Sequence, residues 1–176
     1  TTGYHVVNVL LHALSALLLF RLLALMAVPG AWLAALLFAF HPVMAESVAW
    51  ITERKNTLSL ALYLAAFVTY WPLAIGALDA QTARRRAARY ALVFALFVGA
   101  LFSKSVTSTW PAAVLVALWF VRGRITRADL LRLAPFFVVA LGYGALTVHL
   151  ERTHVGAEGL EWDLTLVERA LIAGRV

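Results

Sequence analysis

The stretch from His41 to Asn56 carries most of the side chains that could do chemistry. If it forms one regular helix, a single side of that helix carries Glu46, Trp50, Glu53, Arg54 and Thr57, because residues three and four apart share a face. Lys55 projects to the opposite side. An arginine pairs bidentately with phosphate oxygens, a tryptophan stacks on a sugar ring, and a carboxylate binds hydroxyls or accepts a proton. This face therefore suits a phosphorylated, sugar-bearing ligand. The alternative is that it is the end of a membrane helix at the membrane–water interface, with an ion pair and an interfacial tryptophan.

A second polar segment runs from Ser103 to Pro111. It places Lys104 among serine and threonine hydroxyls, with Ser103 immediately before it. A lysine with several hydroxyl donors has the chemistry of a phosphate cradle, although no glycine-rich phosphate loop is present. The alternative is a hydrophilic turn that joins two short helices.

Three histidines are candidates for the same region. His41 precedes Pro42, and this pair predicts a break in the second apolar stretch, because proline lacks a backbone donor and disfavours helix before it. Broken helices at membrane depth persist where they line a cavity. His41 is either a hydrogen-bonded structural residue or a ligand and proton-transfer group. His5 and His12, two helical turns apart, either line one cavity or pack against neighbouring helices.

The remaining polar groups give weaker signals. Glu161 and Asp163 flank Trp162 in a pattern that could hold a divalent cation, but such a pair in an acidic loop is far more often simply solvated. His149 and His154 lack a third ligand, so no metal site is predicted. The chain has no cysteine, which excludes disulfides and thiolate-bound metals.

The composition indicates how these groups must be positioned. The 176 residues are 63% hydrophobic and 14% charged, with mean hydropathy +0.86. That balance excludes a soluble globule and predicts an all-α, polytopic membrane bundle of about six helices. The predicted stretches are 5–27, 31–50, 57–77, 90–104, 107–121 and 134–150, and Val28-Pro29-Gly30 predicts a tight turn between the first two. Stretches 90–104 and 107–121 are short, so a re-entrant pair is an alternative.

The charges predict the orientation. Nine basic residues fall at every second membrane boundary, as in cytoplasmic loops: Arg21, Arg84, Arg85, Arg86, Arg89, Arg122, Arg124, Arg127 and Arg132. Both chain ends are then outside. Topology and anionic headgroups account for the net charge of +6, so nucleic acid is not a predicted partner. Arg54, Lys55 and Lys104 break the pattern by lying outside at helix mouths, where charged groups are usually functional.

The last part of the chain differs from the first. Residues 1–150 are predicted to form the transmembrane core and 151–176 an extracytoplasmic loop with a short amphipathic helix. Thr165 and Glu168 have capping-box spacing, and an apolar stripe follows through Leu160, Leu164, Val167 and Leu171. Residues 1–20 lack a basic segment and a cleavage site, so the chain is expected to be an excerpt of a longer protein.

Four of these segments resemble a known family of membrane proteins. Gly3 to His12, His41 to Asn56, Phe102 to Pro111 and Glu151 to Gly159 resemble, in that order, the membrane portion of bacterial tetratricopeptide-repeat (TPR) membrane proteins. Those proteins are similar to the transmembrane-and-TPR O-mannosyltransferases. The resemblance implies a GT-C-like glycosyltransferase fold in the bacterial inner membrane. It also implies a polyprenyl-phosphate-linked sugar donor, a protein acceptor and a TPR domain in the parent protein, with the site facing the periplasm.

The resemblance also implies residue roles. Its HP-x-x-x-E element falls on His41, Pro42 and Glu46, its arginine on Arg54, and its Ser-Lys element on Ser103 and Lys104. Met44 stands where eukaryotic members often have a second histidine. The family's catalytic base lies upstream of Thr1, so the excerpt alone is expected to be inactive.

Together these observations predict a glycosyltransferase core. Arg54 and Lys104, with Ser103 and Lys55, would hold the donor phosphate, while Glu46 and His41 would position sugar or acceptor. Trp50, His5 and His12 are further candidates for sugar or acceptor contacts. The alternatives are a lipid-linked substrate carrier or ion-coupled transporter, and a structural anchor for a periplasmic TPR domain.

Overall fold

The fold is known from a computed structural model that describes residues 2–77, 82–154 and 165–173. Within these ranges the chain is helical and has no strand. The helices are α1 (Thr2–Leu25), α2 (Ala31–Phe40), α3 (Met44–Ala49), α4 (Arg54–Ala74), α5 (Ala83–Ser103), α6 (Trp110–Arg122), α7 (Arg127–His154) and α8 (Leu166–Ala173). Five segments are long and apolar enough to cross a membrane: Thr2–Leu25, Arg54–Ala74, Ala83–Ser103, Ser105–Arg122 and Arg127–Glu151. The predicted all-α membrane bundle is confirmed.

The predicted span 31–50 is instead two short helices. α2 has 10 residues, which at about 1.5 Å per residue cover roughly half of a bilayer core of about 30 Å. His41 is extended, with φ −68° and ψ 127°, because Pro42 disfavours helical backbone at the residue before it. The predicted break is confirmed, whereas the count of about six full-length spans is reduced to five in the described residues.

The two halves of this broken helix still run from one end of the bundle to the other. At one end α2 begins at Ala31, six residues after α1 ends at Leu25, and midway along α1 His12 Nε2 lies 3.0 Å from the carbonyl of Ala39. At the other end the amide of Asn8 donates to the carbonyl of Trp50, at 3.0 Å. Residues 31–50 therefore cover the length of α1 in the opposite direction, as the predicted hairpin requires.

The two stretches predicted as short are longer in the structure. α5 begins at Ala83, where the Thr82 hydroxyl accepts from the backbone N–H of Arg85 at 3.4 Å. A 3-10 turn at Ser105–Thr109 precedes α6 and extends that span to 18 residues. The prediction placed the arginines of the first turn of α5 in a loop, but long basic side chains can lie in a helix and reach water. A re-entrant pair is not needed to explain either segment.

Aromatic rings fill the centre of the bundle between α4, α5, α6 and α7. Trp71, Trp110, Phe97 and Phe136 are fully buried. The ring centroids of Trp110 and Phe136 are 5.0 Å apart, and those of Phe97 and Phe136 are 5.4 Å apart. In a membrane such close packing, rather than exclusion of water, holds helices together.

The bundle has two polar ends of different character. At the end that we call the arginine end, Arg122 pairs with Asp129 at 3.2 Å and donates to the carbonyl of Ala74, while Arg89 donates to the carbonyl of Thr69 at 3.1 Å. The opposite end, where α4 begins and α5 stops, carries Lys104 and is called the Lys104 end.

α8 begins with the predicted capping box. The Glu168 carboxylate accepts from the backbone N–H and the hydroxyl of Thr165, both at 2.8 Å, and the hydroxyl accepts from the N–H of Glu168 at 3.3 Å. Val167 and Leu171 are exposed. Leu160 and Leu164, the predicted loop 156–159, and the Glu161 to Asp163 motif lie outside the described residues.

Candidate functional site

A chain of polar contacts joins α3, α4 and α5 at the Lys104 end. Lys104 Nζ donates to Asn56 Oδ1, and Asn56 Nδ2 donates to Glu53 Oε2. The same amide nitrogen lies 3.4 Å from Ser47 Oγ. We call Ser47, Glu53, Asn56 and Lys104 the polar cluster. Its amide partner is neutral, so the ammonium of Lys104 is oriented without its charge being cancelled by direct contact.

Local structure explains why Lys104 reaches this cluster. α5 ends at Ser103, and Lys104 is extended, with φ −159° and ψ 127°. Its N–H still donates to the carbonyl of Ala100 at 3.0 Å, while its carbonyl accepts from the N–H and hydroxyl of Thr107. The Ser103 hydroxyl donates to the carbonyl of Gly99 at 2.8 Å, so it can accept a hydrogen bond from a ligand but cannot donate one.

Arg54 is the first residue of α4 and lies against α1. Its Cζ lies 4.5 Å from the ring centroid of Tyr4, a cation–π contact. Its Nε and Nη2 are buried and have no hydrogen-bond partner in the structure. Buried donors without acceptors are costly, so a guanidinium in this state is a ready partner for an oxyanion. Arg54 stands two residues before Asn56, so it belongs to the same end of the bundle as Lys104.

Asn8 is a residue that the sequence interpretation missed. It is fully buried, and its Nδ2 donates to the carbonyls of Val48 and Trp50, at 3.3 and 3.0 Å. These carbonyls are freed where α3 stops, so Asn8 caps the break. Its Oδ1 has no hydrogen-bond partner among the described residues. A lone amide in an apolar span is itself a signal of such a role.

The predicted common face of Glu46, Trp50 and Arg54 is wrong, because the helix is not continuous. Trp50 is extended, with φ −85° and ψ 128°, and a 3-10 turn at Ile51–Glu53 follows before α4. Glu46 and Trp50 are exposed. Lys55 is exposed and pairs with Glu53 at 3.8 Å, whereas Arg54 is half-buried.

The three histidines have different surroundings in the structure. His12 Nε2 lies 3.0 Å from the carbonyl of Ala39 and its ring packs on Phe38, so it supports the end of α2. His41 is exposed, and its Nδ1 accepts from the N–H of Val43 at 3.3 Å. His5 is exposed on α1. Among the described residues no group of three or more His, Asp and Glu side chains could hold a metal ion.

Comparisons with known proteins identify relatives of this chain. It is 41% identical over 71 residues to a protein O-mannosyl-transferase of Drosophila melanogaster, covering 39% of this chain and 8% of the relative. It is 35% identical over 99 residues to the mouse protein O-mannosyl-transferase TMTC1, covering 54% of this chain and 10% of the relative.

The longest of these alignments is to a protein O-mannosyl-transferase of Caenorhabditis elegans. It is 27% identical over 154 residues, which is 85% of this chain and 20% of the relative. No family model matches the chain, and no solved structure matches it. The chain thus spans a small part of the curated relatives that it matches. It is a helical membrane segment whose distant homologues are protein O-mannosyl-transferases.

Proposed function

We infer that this chain is part of a membrane glycosyltransferase that moves a sugar from a polyprenyl-phosphate donor to a protein hydroxyl. The observation that carries the proposal is the arrangement of Arg54 and Lys104. They belong to one end of the bundle, and no carboxylate of the described residues pairs with either. The relatives' names supply the sugar, mannose, and the class of acceptor.

The two cations have a defined task in this reaction. The acceptor oxygen attacks the anomeric carbon, the bond from that carbon to the phosphate oxygen breaks, and the polyprenyl phosphate leaves with the additional negative charge. Arg54 and Lys104 stabilise this charge as it develops, which lowers the barrier only if they are already oriented. The Tyr4 ring and the Asn56 amide provide that orientation. The acceptor proton passes to a base outside this chain.

Exposed residues of the segment that precedes Arg54 complete the proposal. Trp50, 58% exposed, offers a ring face to the sugar, and Glu46 and His41 offer a carboxylate and an imidazole to sugar or acceptor hydroxyls. His5 is a further exposed candidate for a sugar or acceptor contact. His12 would contribute indirectly, by supporting the end of α2. We place this end on the periplasmic side of a bacterial inner membrane, within a GT-C-like fold that also carries a TPR domain.

The test uses the full-length protein that contains this chain, reconstituted with polyprenyl-phosphate mannose and a periplasmic protein extract. We expect mannose transfer to fall at least about tenfold in Arg54→Ala and in Lys104→Ala, because each removes a charge-assisted contact to the leaving phosphate. Arg124→Ala is the matched control. It removes one exposed arginine at the opposite end and should transfer at the wild-type rate.

The other functions give different outcomes. Movement of the lipid-linked sugar across the vesicle without transfer would identify a carrier. Normal function of the parent protein with both cations replaced would identify a structural anchor. Either result overturns the proposed chemistry.

A further inference from the structure

A cavity at the arginine end lies between α4, α5 and α7, remote in the fold from the polar cluster. Its volume is about 400 Å³, within the range of small-molecule sites. Two tyrosines form its inner wall, Tyr70 from α4 and Tyr90 from α5. Two arginines line it, Arg86 from α5 and Arg132 from α7. The cavity is thus a basic pocket between membrane helices.

Tyr70 supplies a polar group that packing alone does not explain. Its side chain is 1% exposed, and its ring packs edge-on against Trp110 at 5.6 Å and Phe136 at 6.3 Å. Its hydroxyl is buried and has no hydrogen-bond partner in the structure. Buried tyrosine hydroxyls usually have a hydrogen-bond partner, so the Tyr70 hydroxyl can donate a hydrogen bond to a bound ligand.

The guanidinium of Arg132 supplies positive charge to the cavity. The nearest acid along α7 is Asp129, which is already held by Arg122 at 3.2 Å and by the Thr126 hydroxyl at 2.6 Å. The hydroxyl of Tyr90 donates to the backbone carbonyl of Arg132 at 2.6 Å, which fixes the backbone beside the cavity, and the side chain of Arg132 is exposed at the cavity wall.

The wall of the cavity changes from basic to apolar along α5. Arg86 stands in the first turn of that helix, and Ala87 and Ala91 follow on the same side, one turn apart and exposed. Leu73 of α4 adds an apolar surface. A free phosphate ion would use only the basic part, whereas a lipid would place its headgroup against the arginines and its acyl chains along the alanines.

We propose that this cavity binds the phosphodiester headgroup of an anionic membrane phospholipid. The headgroup phosphate accepts from the Arg132 guanidinium and the Tyr70 hydroxyl, and the glycerol backbone and first acyl carbons lie along Ala87, Ala91 and Leu73. Basic pockets between helices on the cytoplasmic side of membrane proteins have the right charge and depth for such headgroups.

The test measures lipid binding to the full-length protein in detergent by native mass spectrometry. The titrated probes are phosphatidylglycerol and, with the same acyl chains, zwitterionic phosphatidylcholine. We expect one phosphatidylglycerol to bind at least about tenfold more tightly than phosphatidylcholine. Arg132→Ala should weaken phosphatidylglycerol binding about tenfold, and Tyr70→Phe about threefold to tenfold. Arg124→Ala, which removes an exposed arginine that does not line the cavity, should bind as the wild type does.

Both lining variants are expected to preserve the fold. Tyr70→Phe keeps the ring contacts, and Arg132→Ala keeps the carbonyl that Tyr90 contacts. Equal affinity of the wild type and Arg132→Ala for phosphatidylglycerol would overturn the proposal. So would equal binding of the two lipids. Displacement of the bound lipid by millimolar inorganic phosphate would assign the pocket to a free anion and would also overturn it.

Discussion

At the scale of single residues, one amide organises the polar cluster. Asn56 accepts from Lys104 through Oδ1 and donates to Glu53 through Nδ2, so it separates a cation from a carboxylate that would otherwise neutralise it. Asparagine can do this because its side chain carries an acceptor and two donors on one plane. The cation at the end of α5 stays available for an external anion.

Replacing this amide should cost stability. In Asn56→Ala, the half-buried Lys104 and Glu53 both lose a hydrogen-bond partner, and we expect the free energy of unfolding to fall by about 1–3 kcal/mol. Thermal unfolding of the full-length protein in detergent measures the change. The control is Lys55→Ala, which breaks an ion pair whose lysine side chain is 57% exposed and should cost less than about 1 kcal/mol. A larger loss in Lys55→Ala than in Asn56→Ala would contradict this account.

The residue types of the site were predictable, but their contacts were not. Arg54 and Lys104 stand out because charges at the mouths of apolar helices are rare. Their partners Tyr4 and Asn56 could not be inferred, because both contacts depend on where the chain turns between Trp50 and Glu53. The regular helix assumed for that interval gave Glu46, Trp50 and Arg54 a common face that the extended Trp50 removes.

At the scale of elements, proline and capping residues were reliable guides. Pro42 predicted the end of α2, and Thr165 with Glu168 predicted the start of α8, because each acts through the adjacent backbone alone. The start of α5 was missed because that prediction relied on composition and not on a capping residue. Arginines at 84 to 86 suggest a loop by composition, yet the Thr82 hydroxyl caps a helix that includes them.

The α8 cap should respond to pH. Hydrogen bonds from the N–H and hydroxyl of Thr165 hold the pKa of Glu168 below its ordinary value of 4.5. A carboxyl group with a depressed pKa in the folded helix stabilises it above that ordinary value, and the stabilisation is lost as the pH falls through the lowered pKa. Carboxyl-carbon NMR of Glu168 in the full-length protein should therefore report a midpoint below 4.5.

Thr165→Val provides the matched comparison for this titration. It keeps the β-branched shape, removes the hydroxyl, and should raise the midpoint. An identical titration curve in both proteins would show that the capping box does not hold Glu168.

At the scale of the whole molecule, most of the described arginines lie at one end of the bundle, whereas Arg54 and Lys104 lie at the other. The charge pattern predicts that the arginine end is cytoplasmic. The chain has no cysteine, so single cysteines can report the sidedness in a cysteine-free version of the parent protein. Gly3→Cys and Thr52→Cys should react with a membrane-impermeant maleimide in intact cells, and Arg124→Cys only after permeabilisation. All three positions are exposed in the structure. Labelling of Arg124→Cys in intact cells would reverse the orientation and move the proposed chemistry to the cytoplasm.

The membrane class followed from composition, because no soluble fold can cover so much apolar surface. The packing order of the helices did not. α4 lies between α1 and α5, and the aromatic core around Trp110 and Phe136 takes rings from α4, α5, α6 and α7. Hydropathy measures each segment alone, so it carries no information about which segments touch.

The shortness of α2 has a consequence for the lipids around it. A helix of 10 residues matches only about half the thickness of the hydrocarbon layer, so the exposed break at Phe40 and His41 faces the bilayer, where local thinning or water would solvate its backbone. Such hydrophobic mismatch brings headgroups deeper on the side where α3 leads to Arg54. The polyprenyl-phosphate donor proposed above would there have a shorter distance to cross from the bilayer, and its phosphate would reach the protein without being drawn out of the membrane.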